Sequence, residues 1–227
     1  MKVRVTANCL NVRKGPGTQY DVVGTLANGD IVDTVDTADP TGWLPILLAD
    51  GSIGWVSKKF VTDASTNIVK DICDECDRQG LPLATQKAYV LATVEWETDG
   101  TFKPIREAPS KSEEWRRQNL RYWPYYGRGY VQLTWKSNYE TYGKILGLDL
   151  VNNPDLALDP KVALFILVHG FKNGTFTGRR LEEFVNPDKT DFVNARRVIN
   201  ALDRAETIAG LARKWLARLT SGREQEN

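Results

Sequence analysis

Over residues 1–62 the apolar positions fall in short clusters of period two, cut by turn-forming residues. The clusters are Leu10-Asn11-Val12, Val22-Val23, Ile31-Val32, Trp43-Leu44 and Ile53-Gly54-Trp55-Val56. Between them lie Lys14-Gly15-Pro16-Gly17, Asn28-Gly29-Asp30, Asp39-Pro40-Thr41-Gly42 and Asp50-Gly51. Strands this short and evenly spaced predict a small all-β barrel. Past Asp63-Ala64-Ser65-Thr66-Asn67, the period changes to about 3.6. That junction reads as a linker over 63–67, with Ser65 or Thr66 as the expected N-cap of the first helix.

Ile68, Val69, Ile72, Cys73 and Cys76 mark that helix, closing near Gly80. A second runs from Thr85 to about Thr98, with Ala88, Leu91, Ala92 and Val94 facing inward. Ser137-x-x-Glu140 has the form of a capping box, opening a helix that stops at Gly147. Asp159-Pro160 supplies an N-cap and a first-turn proline for an apolar helix through Val162–Val168. Two further amphipathic helices are expected over Asp191–Ile199 and Asp203–Leu219. The residues from Gly100 to Trp135 show neither period, and a loop of that length in a compact domain is usually functional. The predicted fold is therefore multidomain: a small barrel over 1–62, then a mainly α domain over 68–227.

Composition narrows the chemistry. Thirty basic against 29 acidic residues leave a net charge of +1, so no globally basic nucleic-acid binder is expected. No apolar run reaches the roughly 18 residues of a membrane span. Met1-Lys2-Val3-Arg4-Val5-Thr6 alternates like a strand and lacks the apolar core of a secretory signal. Cys73 and Cys76 form a C-x-x-C, but the only histidine is His169, and zinc needs about four ligands. Buried or semi-buried structural thiols are expected, with no metal and no cofactor.

The aperiodic segment concentrates the candidate chemistry in Tyr125-Tyr126-Gly127-Arg128-Gly129-Tyr130-Val131-Gln132-Leu133-Thr134-Trp135, continuing to Asn138-Tyr139. Aromatic rings stack on sugar faces, and amides and hydroxyls hydrogen-bond sugar substituents. This run resembles the signature of family-19 glycoside hydrolases, the class I chitinase type, which includes phage and bacterial cell-wall lysozymes. The resemblance implies a lysozyme-like fold, Thr134 helping to hold the attacking water, and Gln132 and Asn138 on the sugar. Tyr130, Trp135 and Arg128 are placed with them as substrate contacts. About half of Trp115, Tyr122, Trp123, Tyr125, Tyr126, Tyr130 and Trp135 are expected at the cleft, the others in the core. Phe192-Val193-Asn194-Ala195-Arg196-Arg197-Val198-Ile199-Asn200 resembles a second family element and places Asn200 at the cleft. The family commonly continues with glycine there, where this chain has Ala201.

Glycoside cleavage also needs an acid for the leaving oxygen and a second carboxylate. Glu97, in Val94-Glu95-Trp96-Glu97-Thr98, sits near a helix end. An apolar setting including Trp96 would raise its pKa, although an exposed helix-turn Glu is the commoner case. Family-19 enzymes carry their acid in His-Glu-Thr, and Trp96-Glu97-Thr98 keeps the Glu-Thr pair. Glu95 lies about 200° away round the helix, so the two cannot share one cleft. Glu107, in Pro104-Ile105-Arg106-Glu107-Ala108, stands where phage-type members carry the second carboxylate. Arg106 is expected to keep it ionised, and a surface Arg-Glu pair is the alternative. Glu113 and Glu114 are fallbacks at a helix start, where acidic residues belong for electrostatic reasons alone. An inverting reaction would set the two carboxylates roughly 6.5–9.5 Å apart.

Leu10-Asn11-Val12-Arg13-x-Gly15-Pro16, Gly24-x-Leu26-x-x-Gly29, Trp43 and Asp50-Gly51-x-x-Gly54-Trp55-Val56 resemble the bacterial SH3-like domain, which often targets hydrolases to peptidoglycan. Residues 103–136 carry eight basic and three acidic side chains, a balance that suits an anionic peptidoglycan strand better than neutral chitin. A solvated basic face or a nucleic-acid contact reads the same way from sequence. The sequence expectation is a monomeric peptidoglycan hydrolase cutting between N-acetylmuramic acid and N-acetylglucosamine. A chitinase or a non-catalytic wall-binding protein is the alternative. Without a signal peptide, a phage endolysin waiting in the host cytoplasm for holin-type release is expected.

Overall fold

The computed structural model describes residues 2–35, 41–64 and 67–221. Asp39 and Pro40 of one expected turn, and the expected caps Ser65 and Thr66, lie outside them. The chain divides into two compact units, 1–68 with 99–102, and 69–98 with 103–227.

The first unit is all β. Strands β1 (Lys2–Val5), β2 (Cys9–Arg13), β3 (Val22–Ala27), β4 (Ile31–Asp33), β5 (Trp43–Leu47), β6 (Ile53–Ser57) and β7 (Val61–Asp63) follow the period-two clusters. They form two antiparallel sheets, in the orders β4-β1-β7 and β3-β2-β6-β5. Val3, Val5, Leu10, Val12, Leu44, Ile46, Val56 and Val61 pack between them. Alternation is clearest in β2, where Leu10 and Val12 are buried and their neighbours are not. Strand β7 runs to Asp63, into the residues expected to be linker.

The second unit is helical: α1 (Ile68–Arg78), α2 (Ala84–Glu97), α3 (Glu113–Asn119), α4 (Lys136–Leu146), α5 (Pro160–Asn173) and α6 (Ala205–Ser221). Helix α2 is its axis, with Ala88 to Val94 buried without a break. An all-buried helix shows little amphipathic contrast, because neighbours cover it on every side. Helix α6 packs along it, and Trp215 Nε1 donates to Glu95 Oε2 at 2.6 Å. At the start of α5, Asp159 accepts from the backbone N–H groups of Lys161 and Val162, and Pro160 fills the first position. Gly147 ends α4 in the left-handed conformation (φ 66°).

Two sequence expectations need correction. Ser137 caps nothing: α4 opens at Lys136 behind Trp135, whose φ of 75° turns the chain, and Glu140 pairs with Lys136 instead. The helix expected over Asp191–Ile199 is a short 3-10 turn over Asn194–Val198. There Asp191 accepts from the Asn194 backbone and side chain, which closes the segment locally. The aperiodic stretch holds α3 and a two-residue pairing of β8 (Ile105–Arg106) with β9 (Arg128–Gly129).

Candidate active site

The signature segment folds as a tight hairpin. Arg128 and Leu133 exchange backbone hydrogen bonds at 3.2 and 2.8 Å, forcing Gly129 to φ 88° and Gln132 to φ 54°. Gln132 tolerates that backbone because its Nε2 donates to the Ile105 carbonyl at 3.1 Å. Gly129 is needed twice over: a Cβ there would also stand 3.1 Å from the Ala157 carbonyl oxygen. Gly129→Ala is expected to cost about 1–3 kcal/mol, read as a lower thermal midpoint with the fold retained.

Gln132, Thr134, Trp135 and Asn138 line one pocket of about 160 Å³, completed by Phe176 and Ile199 among others. Trp135 is 46% exposed. Thr134 Oγ1 donates to the Gln132 carbonyl at 2.7 Å, so its hydroxyl proton is engaged while its lone pairs stay open. Asn138 Nδ2 donates to the Thr134 carbonyl at 2.7 Å. Asn200, next to Ile199, is exposed, and its Oδ1 accepts from the Ala201 N–H.

Tyr130 and Arg128 do not join this set. Tyr130 is 1% exposed, and burial pushes its phenol pKa up. Arg128 is 3% exposed. Its Nε donates to Asp155 at 2.7 Å, its Nη1 donates to Pro124 and Tyr126 carbonyls and the Tyr139 hydroxyl, and it lies 3.7 Å from the Tyr126 ring centroid. Both were expected at the sugar. Both are framework instead, because the hairpin's positive-φ turns aim alternate side chains into the core.

Glu107 is held on every side. Its Oε1 accepts from the Tyr122 hydroxyl at 2.7 Å and its Oε2 from the Gly127 N–H at 2.9 Å. Its own N–H donates to the Gly127 carbonyl at 2.7 Å, and its carbonyl accepts from Arg116 Nε at 2.9 Å. The hydrogen bond to Glu107, with burial, raises the Tyr122 phenol pKa, so Tyr122 serves as a donor. Arg106 is not the partner expected from sequence. It pairs with Asp155, and the carboxylate is fixed by a phenol and an amide.

Glu97 ends α2. Its Oε1 accepts from Arg196 Nη1 at 2.7 Å, in a pair whose side chains are 20% and 4% exposed. The apolar wall expected around it is absent: Trp96 is 37% exposed, and a guanidinium faces the carboxylate. Arg196 is itself aimed by donating from Nε to the Asp203 carbonyl. Glu95, bound to Trp215, points elsewhere, as helix geometry requires. Glu113 accepts from Trp123, Tyr126 and Arg116. Burial works upward on its carboxyl pKa, but these hydrogen bonds and the Arg116 charge bring it below the usual range. That makes it a structural tie.

Neither carboxylate lines the pocket itself, but each is tethered to an element that does. Glu107 is bonded to the hairpin that carries Gln132. Glu97 is bonded through Arg196 to the turn that carries Ile199 and Asn200, whose N–H groups both donate to the Arg196 carbonyl. Sequence reasoning named Tyr122 and Arg196 but missed that they, with the Gly127 amide, hold the two carboxylates. A hydrophobic flank on both sides of Arg196-Arg197 was the one signal available. Of the expected aromatics, Tyr126 and Tyr130 are buried while Trp123 and Trp135 are open to solvent. Among the described residues no group of three or more His, Cys, Asp or Glu side chains gathers as a metal site. Cys73 and Cys76 form no disulfide, and burial raises the Cys76 pKa. In the β unit, a separate groove of about 280 Å³ is lined by Leu10, Trp43, Phe60, Arg13 and others.

Residues 9–62 match the family described as bacterial SH3 domain, and residues 87–171 match chitinase class I. Chitinase 11 of Oryza sativa subsp. japonica is 68% identical over 41 residues, 18% of this chain and 16% of that protein. The "Inactive chitinase-like protein 1" of Hevea brasiliensis is 56% identical over 41 residues, 18% of this chain and 13% of that protein. The "Probable endopeptidase p60" of Listeria monocytogenes serovar 1/2a is 30% identical over 109 residues, 48% of this chain and 22% of that protein. The matched stretches therefore span under a quarter of each of these relatives.

Proposed function

From a bacterial SH3 domain followed by a chitinase class I-type domain, we propose a cell-wall glycan hydrolase that cuts the β-1,4 bond between N-acetylmuramic acid and N-acetylglucosamine. What supports this reading is that each carboxylate is tethered to an element that lines the same pocket, Glu107 to the hairpin carrying Gln132 and Glu97, through Arg196, to the turn carrying Ile199. In this reading Glu97 is the acid. With Oε1 held by Arg196, Oε2 carries the proton given to the leaving glycosidic oxygen. Glu107 is the base. Its two donors leave lone pairs to accept a proton from water attacking the opposite face of the sugar, which inverts the anomeric centre. Thr134 accepts the water's second O–H, since its own proton is directed at Gln132. Gln132, Trp135, Asn138 and Asn200 contact the sugars, and the SH3 domain grips the wall.

Chitin hydrolysis is the second reading, favoured by the rice chitinase likeness. Wall binding without turnover is the third, since a relative named inactive matches to a similar extent. Soluble reducing sugar released from purified peptidoglycan, and little from chitin, is the expected result. The reverse preference would establish the chitinase. The setting we propose is that of a monomeric phage endolysin reaching the wall after membrane permeabilisation.

A further inference from the structure

The basic excess over residues 103–136 is not one uniform face. Arg116 and Arg128 are buried and bound to backbone carbonyls, Glu113 and Asp155. Arg106 also pairs with Asp155, and Lys136 with Glu140. The three acids are engaged as well: Glu107 and Glu113 as described, and Glu114 by Gln118. Of the arginines, Arg117 and Arg121 remain. Both are exposed, and neither is paired with a carboxylate among the described residues. Each stands over a tryptophan instead, Arg121 at 5.0 Å from the Trp135 ring centroid and Arg117 at 5.7 Å from that of Trp123.

A guanidinium resting on an indole is held in place by the ring's π-cloud and keeps its N–H edge free. That edge fits a carboxylate with two parallel hydrogen bonds. Trp135 lines the sugar pocket, and Trp135 and Trp123 stay 46% and 40% exposed. Sugar-stacking surface and unspent positive charge therefore occur together at Trp135 in the pocket lining, and the same pairing recurs at Trp123, twelve residues earlier in the chain. We infer that Arg121 on Trp135 and Arg117 on Trp123 are specificity residues that read carboxylates carried by the glycan strand, so the substrate is an anionic amino-sugar polymer. This rests on the glycan reading above and goes beyond it, since neutral chitin offers nothing to either arginine.

The test uses the full-length protein, native peptidoglycan, and the same peptidoglycan with its carboxylates amidated. Binding by co-sedimentation and release of reducing ends are measured separately, for wild type and for Arg117→Gln/Arg121→Gln. Amidation should weaken wild-type binding and raise KM about three- to tenfold, because each solvent-exposed charge pair is worth a small factor. The double variant should show that loss already on native substrate, and amidation should add little to it. The difference should shrink in 0.5 M salt, where screening is strong. A wild type indifferent to amidation, or a variant that loses as much on amidation as wild type, overturns the inference. So does a variant that loses affinity for duplex DNA but not for native peptidoglycan. If no reducing ends form from either substrate while the binding difference persists, the hydrolase reading fails and the carboxylate contact stands.

Discussion

Glu97→Gln is expected to lower reducing-sugar release from peptidoglycan by about a thousandfold, within the range that general acid catalysis supplies. The amide keeps the volume of the carboxylate and can still accept from Arg196, so the pair that anchors α2 to the 194–203 segment survives in outline. What it lacks is a proton to give. Wall binding through the SH3 domain should persist, and the melting point should fall as well, because the amide leaves the buried Arg196 guanidinium without a charged partner. Lysis at the wild-type rate would remove Glu97 from the mechanism. The Arg196 contact engages Oε1 and fixes the carboxyl plane, so the proposed proton transfer would use Oε2.

Glu107→Gln is the second large effect, and it should look different. Two donors converge on Glu107, the Tyr122 hydroxyl and the Gly127 N–H. A carboxylate accepts from both, whereas an amide has a single acceptor oxygen and must turn an NH2 group toward one of them. Turnover should fall about 10²- to 10⁴-fold, and the domain should lose about 1–3 kcal/mol for the mismatched donor. Rate assays paired with thermal unfolding separate loss of chemistry from loss of stability in each variant. Full activity in Glu107→Gln would show that the base lies elsewhere.

Much of the scaffold was legible because burial on one face imposes a period. The leucine and valine alternation of β2, the Asp159-Pro160 cap and the Gly147 stop each obey one local rule, and the structure realises each. What failed was decided at longer range. Ser137 and Glu140 have the spacing of a capping box, but Trp135 turns the chain two residues too early for Ser137 to serve. Arg128 and Tyr130 sit in the motif beside Gln132 and Thr134, and sequence alone gives no sign of which side chains turn inward. The answer lies in the positive φ of Gly129 and Gln132 and in an acid 27 positions on, Asp155. Arg196 and Arg197 are identical letters, one buried and one exposed, and only the fold reveals that the first meets Glu97 across 99 positions.

The same limit bears on the carboxylates. Spacing and resemblance select Glu97 and Glu107, but both expected environments were wrong in kind. An ion pair replaces the apolar wall at Glu97, and neutral donors replace Arg106 at Glu107. A residue's identity travels through sequence; its electrostatic surroundings are assembled from segments that sequence does not place side by side. Peptide stems cross-link the glycan strands of peptidoglycan, so peptide-bond cleavage is the chemical alternative to glycan cleavage.

Mass spectrometry of peptidoglycan digested by the full-length protein, with Glu97→Gln as the blank, distinguishes these directly. The account predicts fragments with N-acetylmuramic acid at the new reducing end, absent from the blank. N-acetylglucosamine at that end, or intact glycan strands with newly freed amino groups, would contradict it.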